Sequence, residues 1–452
     1  MQDIYRYIDQ HKDDFISRAQ RLVRQPSVAA QGIGVKETSA IVMQMLESIG
    51  AKARRLDAGG QPVVFGELNA GAPRTLSLYN HYDVQPAEPL DLWKHDPWKA
   101  EVHDGKIFGR GIADDKGDFV ARICAIEAIQ KTRGRMPINL KFIVEGEEEI
   151  GSPHLEHFAE RYKDLLKADA CLWEGGGKNA NETPEIALGC KGIAYVQLSV
   201  QSANTDLHSA LAAIIPNAAW RLTWALATLK DEQERVLIKG FYDKVRKPSR
   251  SDHEALKQIK SSEKQMKKLW GFKDYVLGLK GDALQERLTF QPTCTICGVW
   301  SGYTGQGLKT VLPKEAFAKV DFRLVPDQDP EEVVKLLRRH LDAHGFKDVK
   351  AELLGGEKPA RTPLESPFAR LCADAAKAVW GVEPAVAPMV AGSGPMHALG
   401  TKFNIPAVMP AGIAYAGCNI HATNENVRVE DYLAGIKYFA TIFQSFGKTE
   451  RA

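Results

Sequence analysis

The chain has 452 residues, 44% of them hydrophobic, enough for more than one core and for two or three domains. Its 59 basic and 57 acidic residues leave a net charge of +2, which excludes the strongly basic footprint of a nucleic-acid binder. Seven scattered cysteines (Cys124, Cys171, Cys190, Cys294, Cys297, Cys372 and Cys418) argue against a disulfide framework and for the cytoplasm, and no apolar run is long enough to span a bilayer.

The opening M-Q-D-I-Y-R-Y-I-D-Q-H-K-D-D-F carries acids and lacks the apolar stretch of a secretory signal, so it reads as an amphipathic helix. From Asp3 to about Gly50 apolar residues recur at helical spacing, with Gly50 expected as a C-cap. Strands are expected at Pro62–Glu67, Thr75–Tyr79 and Ile138–Val144, with a helix from about Asp118 to Gln130 between the last two. This alternation predicts an α/β layer, whose sites usually lie where strands end.

The pattern changes after Cys190-Lys191-Gly192. Ile193–Val200 alternates like a half-exposed strand, Asn217–Leu229 reads as a helix, and Phe317–Val325 as a strand. Pro330–His340 then reads as a helix and Val349–Leu354 as a strand, so the segment predicts an α+β module with one solvated sheet face. Within it Lys230–Glu286 is dense in Lys, Asp and Glu and reads as a set of solvated helices serving as a charged scaffold. From Pro363 onward helix and strand alternation returns. The expected organisation is a catalytic domain built from residues 1–190 and 361–452, with residues 191–360 inserted. No internal repeat or low-complexity tract is present.

Five short segments carry chemistry. His81 and Asp83 form an H-x-D at the end of the Thr75 strand, where a carboxylate two residues on can hold the second nitrogen of a metal-binding imidazole. Asp114 and Asp115 follow G-R-G-I-A and precede Lys116-Gly117. Taken alone the pair is a polar turn, but beside His81 one of its carboxylates is suited to bridge two cations. Glu147, Glu148 and Glu149 directly follow the strand-like L-K-F-I-V-E-G. They are either an acidic helix start or, on an extended chain, a metal ligand beside a carboxylate facing water. Glu174 lies in L-W-E-G-G-G and His421 in N-I-H-A-T-N-E. Each of these is unremarkable alone, and their value is collective.

The motifs H-x-D, D-x-K-G, E-E-x-G-S and N-x-H, in this order and approximate spacing over nearly the whole length, resemble a co-catalytic zinc hydrolase family. That family includes carboxypeptidase G, the aminoacylases, succinyl-diaminopimelate desuccinylase and carnosinase-like dipeptidases. The resemblance implies a zinc-aminopeptidase-like catalytic domain, its mixed sheet flanked by helices, with an inserted α+β lid and dimerisation domain. It implies two divalent metal ions per subunit, with His81 and Glu174 on one, Glu149 and His421 on the other, and Asp114 bridging. Asp83 would then orient His81, Glu148 would be the general base, and Glu147 would be a neighbour. Oxygen and imidazole ligands without cysteine suit Zn²⁺, and also Mn²⁺ or Co²⁺.

The same resemblance gives His208, in T-D-L-H-S-A, the task of reaching across a homodimer interface to stabilise the oxyanion, although Ala210 stands where the family has glycine. Arg323 in D-F-R-L-V-P matches an arginine that grips a substrate carboxylate, for which a planar fork is suited. Lys309, Thr310 and Ser393 fall on substrate-contacting positions, with the familiar R-E-G-G-S-I-P altered here to M-V-A-G-S-G-P. The expected activity is hydrolysis of an amide in a small carboxylate-bearing substrate, most simply a dipeptide, the alternatives being an N-acyl-amino-acid deacylase or a metal-binding protein without turnover. Cys294 and Cys297 fall on opposite faces of a strand and make a poor chelate, His154 and His157 read as surface residues, and Trp93–Trp98 as a packed loop near the site.

Overall fold

The computed structural model describes residues 1–259, 261 and 263–448. The helical opening resolves into three helices, Gln2–Gln10, Lys12–Val23 and Val35–Ser48. Gly50 follows the third at φ +82°, its N–H bonded to Glu47 O at 2.9 Å and that of Ala51 to Leu46 O at 3.1 Å. This left-handed turn requires a residue without a Cβ penalty.

The first sheet is mixed. Strands β1 (Lys52–Leu56), β2 (Val63–Leu68), β3 (Thr75–His81), β4 (Asn139–Glu145) and β5 (Ala170–Leu172) lie in the order β1-β2-β4-β3-β5, and an Ala407–Val408 strand pairs beyond β5. β1, β2 and β4 pair antiparallel, while β4, β3, β5 and Ala407–Val408 run parallel. Both faces are covered. Leu76, Leu78, Phe142 and Val144 pack with Phe119, Ile123 and Ile126 on one side. Tyr79, Ile143, Cys171 and Trp173 pack with Leu155 and Phe158 on the other. This period-2 division with apolar residues on both faces is what a buried parallel sheet demands.

The helix between β3 and β4 spans Lys116–Arg133, longer at both ends than its apolar pattern implied, and is buried almost all round. It lies between the sheet and the C-terminal helix Val429–Phe446.

The second sheet comes from the middle of the chain: β6 (Gly189–Gln201), β7 (Thr295–Ser301), β8 (Glu315–Leu324) and β9 (Lys350–Glu357), all antiparallel in the order β7-β8-β6-β9. Ala194, Val196 and Leu198 of β6 and Val320, Phe322 and Leu324 of β8 bury one face beneath helices Ala218–Ala227 and Pro330–Ala343. The first residues of β6 pair with β10 (Ala360–Arg361) and, in parallel, with β11 (Val390–Ser393), so one continuous strand serves both halves of the molecule. The charged 230–286 stretch contains helices Arg250–Gln258 and Glu263–Trp270 and the start of Gly281–Phe290; residues 260 and 262 lie outside the described residues. Cys294 is buried and Cys297 exposed, and every cysteine is free. No helix among the described residues is long and apolar enough to cross a membrane.

Candidate metal centre and active site

His81 is the last residue of β3, a central strand, and is 1% exposed. Its Nδ1 lies 3.0 Å from the Asp83 carbonyl oxygen and 3.5 Å from Asp83 Oδ1. A carbonyl can only accept, so Nδ1 carries a proton and Nε2 is free to ligate. Nε2 is 2.9 Å from Asp114 Oδ1 and 3.6 Å from Glu174 Oε2. The other Asp114 oxygen, Oδ2, is 3.1 Å from His421 Nε2, which is also 3.1 Å from Glu149 Oε2. Each oxygen of Asp114 therefore meets a different imidazole.

Asp114 sits on the turn before the Lys116–Arg133 helix, across a cis Asp114–Asp115 peptide. A fully buried residue that spacing did not assign, Glu425, organises this turn. Its Oε1 accepts the N–H groups of Ala113 (2.9 Å) and Asp114 (3.2 Å), and its Oε2 accepts from Gly111 N (3.0 Å) and Arg110 Nη1 (2.7 Å). Asp115 turns the other way, accepting Asn80 Nδ2 at 2.6 Å and the His81 N–H at 3.2 Å. Asp114 faces the imidazoles while its neighbour fixes the main chain of one of them.

Glu148 and Glu149 lie on a 3₁₀ turn, Glu148–Ile150, immediately after β4, and not on the extended chain expected from the strand-like run before them. The turn forms because Asp83 accepts the N–H of Glu148 on one oxygen (3.2 Å) and of Glu149 on the other (3.1 Å), satisfying donors that no strand partner takes. Gln85 Nε2 donates to Glu149 Oε2 at 2.9 Å. Glu147 points away, bound to the Gln61 N–H (3.0 Å) and 2.7 Å from His154 Nδ1. Burial raises the Glu148 carboxyl well above the usual range, with Asp114 and Glu149 adding repulsion and His81 opposing it.

Glu174 follows β5 by two residues, its Oε2 buried with no hydrogen-bond partner among the described residues. Burial raises its pKa strongly too, against the pull of His81. The glycines behind it are obligatory: Gly176 has φ +90°, and a Cβ there would run into the carbonyl of Pro410. The ends of β3 and β5, which present His81 and Glu174, are tied by the buried Arg122. Its guanidinium donates to the carbonyls of Tyr79 (2.8 Å), Leu172 (3.3 Å) and Trp173 and to Asn80 Oδ1 (3.0 Å), and pairs with Asp118 at 2.7 Å. Removing one member of such a buried pair typically costs about 3–5 kcal/mol.

His421 arrives from the far end of the chain on a loop at φ +62°. Asn424 anchors that loop, accepting the Lys94 N–H at 2.6 Å and donating to Leu92 O at 3.0 Å. The Trp93–Trp98 segment is thus a packed loop that holds the site's last imidazole.

Glu148, Glu149 and His421 line one wall of a cleft of about 700 Å³, and Tyr195, Arg323 and Ser393 line the other. Arg323 donates to Ser393 Oγ (2.8 Å) and to Asp321 Oδ2 (3.1 Å). His208, Lys309 and Thr310 are not brought to this cleft. They lie together at a short ribbon pairing Leu207–His208 with Val311–Leu312, where the Ser209 N–H meets Thr310 O at 3.2 Å and His208 accepts the Ala210 N–H at 3.1 Å.

The donor set fits two divalent cations. Asp114, Asp115, Glu148, Glu149 and Glu174 crowd two imidazoles in a largely buried space, and ligand atoms of His81, Asp114 and Glu149, like those of His81, Asp115 and Glu174, lie within 4.8 Å of one another. An orphaned buried oxygen on Glu174 and carboxyls driven toward protonation mark a shortage of positive charge, which metal ions supply.

Imidazoles and carboxylates converging at the carboxyl ends of a mixed α/β sheet, opposite an α+β module bearing an arginine, define a metallohydrolase. The model of peptidase family M20/M25/M40 matches residues 77–445, and the chain belongs to that family. It is 30% identical to the Cys-Gly metallodipeptidase dug1 of Schizosaccharomyces pombe, over 97% of this chain and 96% of that protein. Among solved structures, the M20 family metallo-carboxypeptidase Sso-CP2 of Sulfolobus solfataricus superposes with a TM-score of 0.92 at 38% identity, covering 96% of this chain and 99% of its own. Human carnosine dipeptidase 1 superposes with a TM-score of 0.81 at 26% identity, covering 99% and 100%.

Proposed function

We propose that the protein is a homodimeric, cytoplasmic dipeptidase that uses two Zn²⁺ ions per subunit, Mn²⁺ or Co²⁺ being able to replace them. The observation that carries the reading is the sharing of Asp114 between His81 and His421. In this reading His81, Asp114 and Glu174 hold one ion and Asp114, Glu149 and His421 the other. Residues 1–190 and 361–452 form the catalytic domain and 191–360 the lid and dimerisation domain; in support, all strands of the first sheet fall in the outer segments and β7, β8 and β9 in the inserted one. The free, mostly buried cysteines support a reducing compartment.

The two cations supply the charge that polarises the scissile carbonyl and makes water acidic enough to lose a proton near neutral pH. Glu148, held on its 3₁₀ turn at the edge of the cleft, takes that proton and passes it to the leaving amine. Asp83 fixes Glu148 by holding its main chain and fixes His81 through Nδ1. Arg323, steadied by Ser393, clamps the free carboxylate of the substrate and so sets which amide reaches the water. His208 of the partner subunit, with Lys309 and Thr310 beside it, completes the oxyanion and substrate contacts. Their place on the Leu207–His208 and Val311–Leu312 ribbon, outside the lining of their own chain's cleft, supports a role in trans.

A carboxylate clamp serves a deacylase of N-acyl amino acids equally well, because both substrates present an amide next to a free carboxylate, which makes that the second reading. A panel of dipeptides, longer peptides and N-acetyl amino acids, assayed with Zn²⁺, Mn²⁺ and Co²⁺, separates them. The highest kcat/KM is expected on dipeptides; a preference for N-acetyl amino acids reassigns the substrate, and no turnover of any of them overturns the reading.

A further inference from the structure

Outside the cleft, three metal-ligating side chains converge on the surface: His95 in the Trp93–Trp98 loop, Glu101, and His103 on the short Val102–His103 strand. Their ligand atoms all lie within 4.8 Å of one another. Glu101 Oε2 is 3.8 Å from His95 Nδ1 and 3.4 Å from His103 Nε2. Ligands on a tetrahedral ion with bonds of about 2.0–2.1 Å are separated by about 3.3–3.4 Å, so the spacing of the three groups is close to that of a ligand set. His95 packs at 4.4 Å on Phe108, which limits its freedom, while the His95 and His103 rings stack at 4.2 Å with their planes 21° apart, so one ring, the more exposed His103, turns out of the stack to share an ion.

We propose that His95, Glu101 and His103 form a third divalent-cation site, separate from the catalytic pair, that takes Zn²⁺ or another borderline transition metal with its fourth position open to water. The donor chemistry selects the ion: two imidazoles and one carboxylate suit Zn²⁺ or Ni²⁺ and offer too few oxygens for Ca²⁺ or Mg²⁺. The side chains are 24%, 40% and 47% exposed, so the ion exchanges with solvent and binds more weakly than one in the buried centre.

The location gives the site a consequence. Lys94, adjacent to His95, bonds Asn424 on the loop that presents His421. The Val102–His103 strand belongs to a three-stranded ribbon whose far member, Asn426–Arg428, continues that same loop. An ion on the surface triad fastens both ends of the 95–103 segment and stiffens the support of His421.

The test is Zn²⁺ binding by equilibrium dialysis to the full chain and to its His95→Ala/His103→Ala double variant, with thermal unfolding in saturating and chelated Zn²⁺. The wild type is expected to hold one more ion per chain than the double variant and to gain more stability from excess Zn²⁺. Glu101→Gln is expected to weaken the extra ion by about tenfold or more. Equal stoichiometry in wild type and double variant overturns the site, and unchanged affinity in Glu101→Gln overturns the three-ligand assignment. Unchanged catalytic activity in the double variant beside one ion fewer places the lost ion outside the catalytic centre, whereas loss of activity together with the ion assigns it to the His421 site and overturns the proposal.

Discussion

Asp83 and Glu148 are joined through the main chain: the Glu148 N–H donates to Asp83 Oδ1 at 3.2 Å while the carbonyl of Asp83 faces His81 Nδ1 at 3.0 Å. One residue thus sets the position of both a base and a ligand. Asp83→Ala leaves two N–H groups of the Glu148–Glu149 turn without acceptors, and metal affinity or kcat is expected to fall about 10–100-fold, as for other residues that orient ligands. Metal titration together with initial rates checks this; wild-type values for both would remove the positioning role.

Glu148→Gln keeps the shape of the turn and removes the proton acceptor. Turnover is expected to drop by about 10²–10⁴-fold with two metal ions per chain retained. Metal analysis of the purified variant decides the matter, since loss of an ion would move Glu148 into the ligand set.

Arg323→Ala should raise KM for substrates with a free carboxylate and leave amidated analogues nearly unaffected. Parallel rate curves for each dipeptide and its amide supply the comparison. An equal effect on both members of a pair would remove the carboxylate clamp.

His208→Ala and Glu148→Ala chains, each inactive alone, should regain activity when mixed, because a hybrid dimer contains one site with both groups intact. Refolding the two together and assaying the mixture is sufficient. No gain over the separate variants would count against a shared site.

Metal loading should release protons. Hydrogen bonds to Asp114 and Glu149 push the His421 pKa up to about 10 in the metal-free protein, so the imidazole is charged at pH 7. A metal ligand must be neutral, so binding expels that proton and apparent affinity rises with pH toward 10. By the same sign, the ion pairing of His421 stabilises the metal-free fold fully below the ordinary histidine pKa and is lost as pH rises through about 10. Titration with Zn²⁺ in buffers of different ionisation enthalpy should register at least one proton per chain at pH 7.

β3, β4 and the Lys116–Arg133 helix were legible because their apolar residues keep a period of two or 3.6, with errors at their ends, as at Lys116 and Arg133, whereas β5, three residues long, is too short to show a period. His81, Asp114, Glu149, Glu174 and His421 stand out as acids and imidazoles directly after apolar runs or beside glycines. Glu425 did not, because its partners Arg110, Gly111 and Ala113 lie more than three hundred residues away and only packing brings them together. Arg122 was hidden for the same reason: within an apolar helix its bonds to the ends of β3 and β5 leave no trace in local spacing. The 3₁₀ turn at Glu148 was missed because its cause is a distant carboxylate, Asp83, that captures two main-chain donors.

The chain passes out of the first half of the molecule along β6 and returns along β9 and β10, and these crossings are hydrogen-bonded to each other at Gly189–Cys190 and from Ile193 onward. A pleated ribbon of this kind is compliant to bending across its face, whereas sliding one strand along the other breaks its ladder. Arg323 of β8 pairs with Ile193 of β6 and bonds Ser393 of β11, so a slip of the arginine along its strand would break ladder and side-chain bonds together. The arginine's place is thereby held by the ladders themselves, and the fold works as a calliper with a fixed scale.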